Sequence, residues 1–267
     1  MSISNMNFLE RILYLLQRYG VSYLKGAGTT LAIALVSTAI GCLIGFVVGV
    51  VQTIPVDKKR DSAAKRGLLR VVKMILKAYV ELFRGTPMIV QAVFIYYGLS
   101  QMFQIQLGMW SAAFLVVSIN TGAYMAESVR GGIISVDPGQ MEGAKAIGMT
   151  HVQAMKNVIL PQAIRNIMPQ IGNNLIINIK DTSVLSVISI VDLFFVHKSV
   201  AGALYTYFES ATIVMAIYLT MTLVTSRLLL LVEKKMDGDA NYELVDTMDI
   251  GNQLRTIREN DGEGRRG

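Results

Sequence analysis

From Ala27 to Ile54 the chain carries no charged residue. A bilayer is crossed by about 20 helical residues, so this stretch is long enough to span one. Hydrocarbon offers backbone groups no water to bond, which leaves self-satisfied structures such as the helix. The composition of the whole chain agrees. With 267 residues, 52% of them hydrophobic and 16% charged, and a mean hydropathy of +0.47, the protein is too apolar for a soluble domain of its length. A formal charge of +6 would suit a nucleic-acid partner, but the basic residues gather at the ends of apolar runs. There they report membrane orientation instead, and no nucleic acid is expected. The single cysteine, Cys42, lies inside an apolar run and excludes both a disulfide framework and a cysteine metal site. Ser37, Gly41, Gly45 and Gly49 recur every fourth residue, a small-residue stripe that lets another helix approach closely.

In chain order, residues 1–26 place Phe8, Ile12, Leu15, Leu16 and Tyr19 at helical spacing between charges. That pattern predicts an amphipathic helix lying on the membrane surface. Glu10, Arg11 and Arg18 interrupt any signal-peptide core. Asp57 to Lys73 carries seven basic residues against two acidic ones and reads as a cytoplasmic loop. A second span begins near Tyr79, and Gly85 and Pro87 should bend or break it early. Glu81 and Arg84 are three apart and can pair or find separate partners. A third span covers about Met109 to Val129, a fourth Ile164 to Phe195 and a fifth Ala211 to Val232. These make an all-α membrane protein with five transmembrane helices, the N-terminus outside and the C-terminus cytoplasmic. The turn at Gln104–Met109 and the Asp192–Glu209 link then lie outside. Residues 27–235 form the membrane domain, and the polar tail 236–267 is expected to be disordered.

Between the third and fourth spans lies a polar island, residues 137–161, expected inside. Asp137 can cap a helix opened by Pro138, with Gln140 reaching back, and that helix ends at Gly148. Thr150 and Gln153 can cap a second helix, which Pro161 should stop at Leu160. Met141, Ala144 and Gly148 share one face, and Val152, Met155 and Ile159 another. The unexceptional reading is a helical hairpin joining two spans. The stretch also resembles the cytoplasmic EAA loop of ATP-binding-cassette importer permeases: E-A-A, three residues, G, nine residues, I-x-L-P. The pattern falls on Glu142, Gly143, Ala144, Gly148, Val158, Leu160 and Pro161, with Gly143 in place of the middle alanine and Val158 in place of the isoleucine. Gly143 should loosen its helix by roughly 1 kcal/mol relative to alanine. The resemblance implies a loop that docks on a separate ATPase subunit and passes that subunit's motion to the membrane helices.

The remaining polar residues at membrane depth are candidates for the pathway. Asn120, Tyr124 and Glu127 fall on one face of the third span. Glu127 either reaches interfacial water at the inner end or faces the bundle interior. On the fourth span Gln170, Asn174, Asn178 and Asp181 follow at four, four and three residues. Such a stripe cannot face lipid, because a charge near the bilayer centre costs at least ~2.5–3.5 kcal/mol. Lys180 points about 100° away from Asp181, so a direct pair between them is not expected. The stripe is either a buried network joining helices or a mid-membrane site for a polar ligand.

Three further phrases resemble permeases for polar amino acids: Phe83–Pro87, the Y-x-x-E-x-x-R-G-G-I tract from Tyr124 to Ile133, and Ile179–Ser183. The resemblance implies a type I importer permease subunit, working by alternating access in the cytoplasmic membrane of a bacterial-type cell. Its implied partners are an ABC ATPase, a second permease chain of the same or a different kind, an extracytoplasmic substrate-binding protein, an amino acid and the lipid bilayer. No phosphate-loop motif is present, so ATP and magnesium are expected on the ATPase. No catalytic or metal-binding residues are expected on this chain. His151 and His197 stand in no hydrolase or metal pattern, and His151 reads as a solvated helix residue. The alternatives from other classes are an ion-coupled secondary transporter using Glu127 and Asp181, and a channel subunit with no ATPase.

Overall fold

The computed structural model describes residues 6–56 and 62–237, and the described residues outside turns are all helical. Helix α1 runs unbroken from Phe8 to Thr53, about 69 Å at 1.5 Å per residue. A separate surface helix was expected before Gly26. Instead the amphipathic stretch continues into the span, since no proline interrupts it. Its apolar residues also have a protein surface to cover: Leu15 and Tyr23 are buried with Leu193, Val196, Val200, Ile213 and Val214.

Helix α2, Ala63–Gly85, starts far earlier than the expected Tyr79 and takes in most of the basic segment. Ser62 caps it by accepting from the Lys65 amide. The expected break falls at Thr86 and Pro87, and α3 follows over Met88–Phe103. Breaking a helix frees carbonyls, and here side chains take them up. Gln91 donates to Phe83 O and Thr86 O, both at 2.9 Å. Asn120 donates to Phe83 O at 3.2 Å and to Gln91 Oε1 at 3.0 Å.

Helix α4, Met109–Ile134, is the central element. The small-residue stripe of α1 lies on it. A Cβ on Gly41 would stand 2.6 Å from Thr121 Cβ and one on Gly49 2.7 Å from Val129 Cβ. One on Gly45 would run into Met125. Only glycine allows the two backbones to come this close.

After α4 come α5, Pro138–Ala146, and α6, His151–Ala154. Pro161 does not end the second helix. A π-helical turn over Met155–Ile159 joins α6 to α7, Leu160–Asp181. The Leu160 amide reaches back to Met155 O. The wider turn accommodates the proline ring and its missing N–H, so the backbone continues as helix.

The fourth span differs most from expectation. Above Asp181 it narrows to a 3-10 helix over Thr182–Ile188, then turns at Ser189, whose φ is 65°. Helix α8, Leu193–Leu204, follows at 54° to the segment before it. Asp192, expected in an exterior link, is fully buried. It caps α8 by accepting from the Phe195 amide at 2.9 Å. The β-branched run from Thr182 to Val191 supports regular helix poorly, and the cap at Asp192 restarts it.

Helix α9, Tyr207–Asp237, closes the described chain. Arg11 of α1 pairs with its Glu209 at 3.0 Å. Tyr23 and His197 both bond Ser210, at 2.8 and 3.0 Å. By internal contacts Met1–Leu230 forms one unit and the residues from Leu231 another. The tail expectation falls outside the described residues from 238 onward. Among the described residues, α1, α4 and α9 are each long and apolar enough to cross a membrane, and the bent α6-to-α8 assembly is a fourth candidate. Helix α3 is a shorter apolar helix.

Candidate functional site

Two places bring the singled-out residues together: the elbow between α4 and α7, and the polar side of α7.

The elbow is built by local bonds. Asp137 Oδ1 accepts from the Gly139 amide at 2.8 Å. Gln140 does not reach back to that cap as expected; its side chain accepts from Gln162 at 3.4 Å. The first helix closes on Gly148, which has a φ of +86°. Its amide donates to Lys145 O and that of Met149 to Ala144 O, the paired bonds of a Schellman motif. A residue with a Cβ would be strained there. Thr150 and Gln153 then form the expected reciprocal cap, with bonds of 2.9 and 3.3 Å.

This geometry divides the elbow into two sides. Ala144 and Ile159 are buried. Met141, Met155, Val158 and Leu160 pack with Ile133 and Val136 at the end of α4. On the other side Glu142, Gly143 and Gly148 are exposed, and Pro161 is exposed farther along. Ile147 is 76% and Val152 73% exposed, values that leave two large apolar side chains in the open at the corner. Val152 was expected to share a helix face with Met155 and Ile159. Helix α6 has only four residues before the π turn, and the widened turn shifts the register by which those three would share a face. His151 is half-buried and not simply solvated. Burial, and then nearby Lys145, hold its imidazole below the ordinary value.

The polar line on α7 separates into inward and outward members. Asn178 is buried and donates to Thr38 Oγ1 of α1 at 2.7 Å and to Thr121 Oγ1 of α4 at 2.9 Å. Asn174, also buried, donates to Met125 Sδ at 3.2 Å and to Gln170 O at 2.9 Å. Both amides are thus engaged between helices. Gln170 and Asp181 are exposed on this chain. Lys180 points elsewhere, into a cavity of about 520 Å³ between α7, α8 and α9 that His197 and Tyr218 also line.

Glu127 is not an isolated carboxylate. It bonds Arg130 on its own helix and pairs with Arg84 of α2 at 3.7 Å. Arg84 also stands over the Tyr124 ring, 5.5 Å from its centre. Glu81 pairs instead with Lys77, exposed, at 3.5 Å. The cluster therefore fastens the end of α2, just before its break, to α4.

Sequence reasoning missed Gln91, Asp192 and Ile147. Gln91 was signalled only by a polar side chain four residues after Pro87. Asp192 was signalled by a carboxylate three residues before Phe195. Ile147 carried no signal beyond its place next to Gly148.

The profile of the family described as binding-protein-dependent transport system inner membrane component matches residues 62–238. The chain is similar to the nopaline transport system permease protein NocM of Agrobacterium fabrum, with 38% identity over 79% of this chain and 86% of the relative. It is similar to the arginine transport system permease protein ArtQ of Bacillus subtilis, with 34% identity over 81% and 93%. The glutamine transport system permease protein GlnP of Escherichia coli K12 is 33% identical over 80% and 92%. Among solved structures, an amino acid ABC transporter crystallised with histidines aligns with a TM-score of 0.74 and 35% identity, over 86% of this chain and 99% of that one. The MetNI methionine ABC transporter, at 20% identity and a TM-score of 0.68, shares the fold.

Proposed function

The chain belongs to the family of binding-protein-dependent transport system inner membrane components, and from that premise we propose that it is the permease subunit of an ATP-driven amino acid importer. The observation that carries the proposal is continuity. Backbone runs as helix from His151 in the elbow, through the π turn, to Asp181 on the polar side of α7. A push on the elbow would therefore reach membrane depth along continuous helix, Pro169 within it included, and not through a loop.

In this reading five spans cross the cytoplasmic membrane: α1, the broken α2–α3, α4, the bent α7–α8 and α9. The N-terminus lies outside and the C-terminus inside. The exposed corner of Glu142, Gly143, Ile147, Gly148 and Val152 faces an ATPase subunit, which carries the ATP and magnesium. Ala144, Val158 and Leu160 hold the corner to the bundle, and Pro161 shapes the π turn. Gln170 and Asp181 face the pathway. Asn174 and Asn178 keep α7 seated on α1 and α4, and Glu127 is held by its two arginines. A second permease chain and an extracytoplasmic binding protein complete the importer, and the bundle alternates its access. ATP drives the cycle only by binding one permease state more favourably than the other, since a ligand indifferent to state shifts nothing.

The test is association followed by transport. An ATPase should co-purify with the full chain, and removal of residues 142–161 should abolish that association. Proteoliposomes holding the intact complex, ATP inside and binding protein outside, should take up a polar amino acid. A chain that transports with no ATPase bound would refute the reading.

A further inference from the structure

Helices α7 and α9 meet at Gly172, where an added Cβ would stand 3.1 Å from Leu229 Cδ1. About 22 Å back along α9, Val214 packs with Val196 and Val200 of α8. Between these two contacts the helices part around the cavity of about 520 Å³. Its volume falls in the usual range for a ligand pocket, about 300–1,000 Å³. Phe194, Met215 and Leu219 give it apolar walls, and Lys180, Ser183 and His197 contribute polar groups. The cavity lies at membrane depth. Asn178, two positions before Lys180, bonds Thr38 of α1, and Thr38 is about 17 Å from Ala27 and about 24 Å from Ile54 along the charge-free stretch.

A cation at this depth needs a partner or water, yet Lys180 forms no ion pair among the described residues. Asp181, next in the chain, attracts it across the helix surface, but the two side chains point about 100° apart and do not pair. Two opposite charges side by side and unpaired are complementary to a ligand that itself carries both signs. A free amino acid is such a ligand, and its carboxylate would gain a charge-assisted hydrogen bond from the ammonium. His197 supplies a second donor. The Tyr23 hydroxyl can donate to Ser210 and Ser210 to His197 Nδ1, which leaves the imidazole proton on Nε2. A phospholipid fits less well, because its headgroup would have to leave the interface to reach Lys180.

We propose that this cavity binds a free amino acid, with the α-carboxylate on the Lys180 ammonium, Ser183 and His197 Nε2 as further polar contacts, and the side chain against Met215 and Leu219. Asp181 is then the counter-charge for the α-ammonium. The identity of the ligand rests on the importer reading, whereas the cavity and its unpaired lysine do not. The consequence for that reading is that α9 belongs to the site, since the ligand would lie between α7 and α9 where the two helices already stand apart.

The experiment is equilibrium binding to the purified full chain, with whatever ATPase accompanies it, in detergent and without ATP, so that no transport step enters. Each of the common amino acids is screened by its shift of thermal unfolding, and the strongest ligand is titrated beside its α-carboxamide. The wild-type chain should bind the amino acid about tenfold or more tighter than the carboxamide, the worth of one hydrogen bond to a charged group. Lys180→Met should bring that ratio close to one, and Lys180→Arg should keep most of it. Leu219→Trp, which fills the cavity, should weaken both ligands. The ratio on the wild-type chain decides the matter even where a variant fails to fold. A ratio near one there would overturn the inference, as would an unchanged ratio in Lys180→Met. So would the absence of any amino acid ligand, with a phospholipid retained in native mass spectrometry and lost in Leu219→Trp. The importer reading fails by a different result, uptake with no ATPase bound; uptake by Lys180→Met at the wild-type KM would remove the cavity site and leave the importer standing.

Discussion

Alanine in place of glycine should act with opposite sign at different points of helix α1. Taken alone, glycine in a helix interior costs about 0.5–1 kcal/mol relative to alanine. At Gly20 and Gly28 nothing lies within 4 Å of an added Cβ, so the substitution should be neutral or stabilising by about that amount. At Gly45 the added carbon would meet Met125 Cβ and stand 2.8 Å from the backbone of Met125 and Ala126. Carbon atoms rest at about 3.5–4.0 Å, so α1 and α4 would have to part by about 1 Å. No flexible side-chain tip is available to yield. Overpacking of this kind costs about 1–3 kcal/mol, and after the propensity gain Gly45→Ala should lose about 0.5–2 kcal/mol. Gly41→Ala and Gly49→Ala, which meet Thr121 and Val129, should fall on the same side. The measurement is unfolding in mixed micelles titrated with denaturing detergent, with helicity as the signal and all five variants side by side. If Gly45→Ala proved as stable as Gly28→Ala, the close α1–α4 crossing would be wrong.

Four further outcomes follow from the site. Asp181→Asn should lower amino acid uptake while the complex still assembles, whereas Asn178→Ala should act on stability. The latter removes two interhelical bonds worth about 0.6 kcal/mol each in membrane, a loss of about 1 kcal/mol in the same unfolding assay. Gly148→Ala meets no neighbour but must adopt a φ of +86°, at about 1–2 kcal/mol. A loosened corner should then weaken ATPase association by about tenfold, read by titrating the purified subunits. His151 has its folded value depressed by burial and by Lys145. The unfolded chain therefore takes up the proton first, and elbow stability is complete above about pH 6.5 and falls as pH drops through the folded value. Proteolysis of the elbow should accelerate on acidification, and His151→Gln should remove that dependence.

What could be read in the sequence was what depends on neighbours a few residues away. The caps at Asp137 and Thr150, the corner at Gly148 and the break before Pro87 each rest on local bonds. The glycine stripe was equally plain as a contact surface, but its partner was not, because spacing on α1 says nothing about which helix supplies Thr121, Met125 and Val129. The same limit separated Asn174 and Asn178 from Gln170 and Asp181. Their periodicity is shared, and only the positions of α1 and α4 decide which members turn inward. Asp192 was read as part of a link because its place three residues before Phe195 signals a cap that accepts from that amide but not that the carboxylate is buried.

Pro87 and Pro161 show why local rules gave one right answer and one wrong one. A proline deletes one amide and crowds the preceding turn in either case. At Pro87 the freed carbonyls of Phe83 and Thr86 find Gln91, and Asn120 also reaches Phe83 O, so the helix separates into two pieces at little cost. At Pro161 the Leu160 amide bonds Met155 O across a widened turn, and Gln162 covers Val158 O at 2.9 Å, so the axis stays continuous. The chain thereby acquires a joint between α2 and α3 and a rod from α6 through α7. In the proposed importer, a displacement entering at Ile147 and Val152 would be carried along the rod to Asp181, and the bundle would accommodate it where side chains, not backbone, complete the hydrogen bonding.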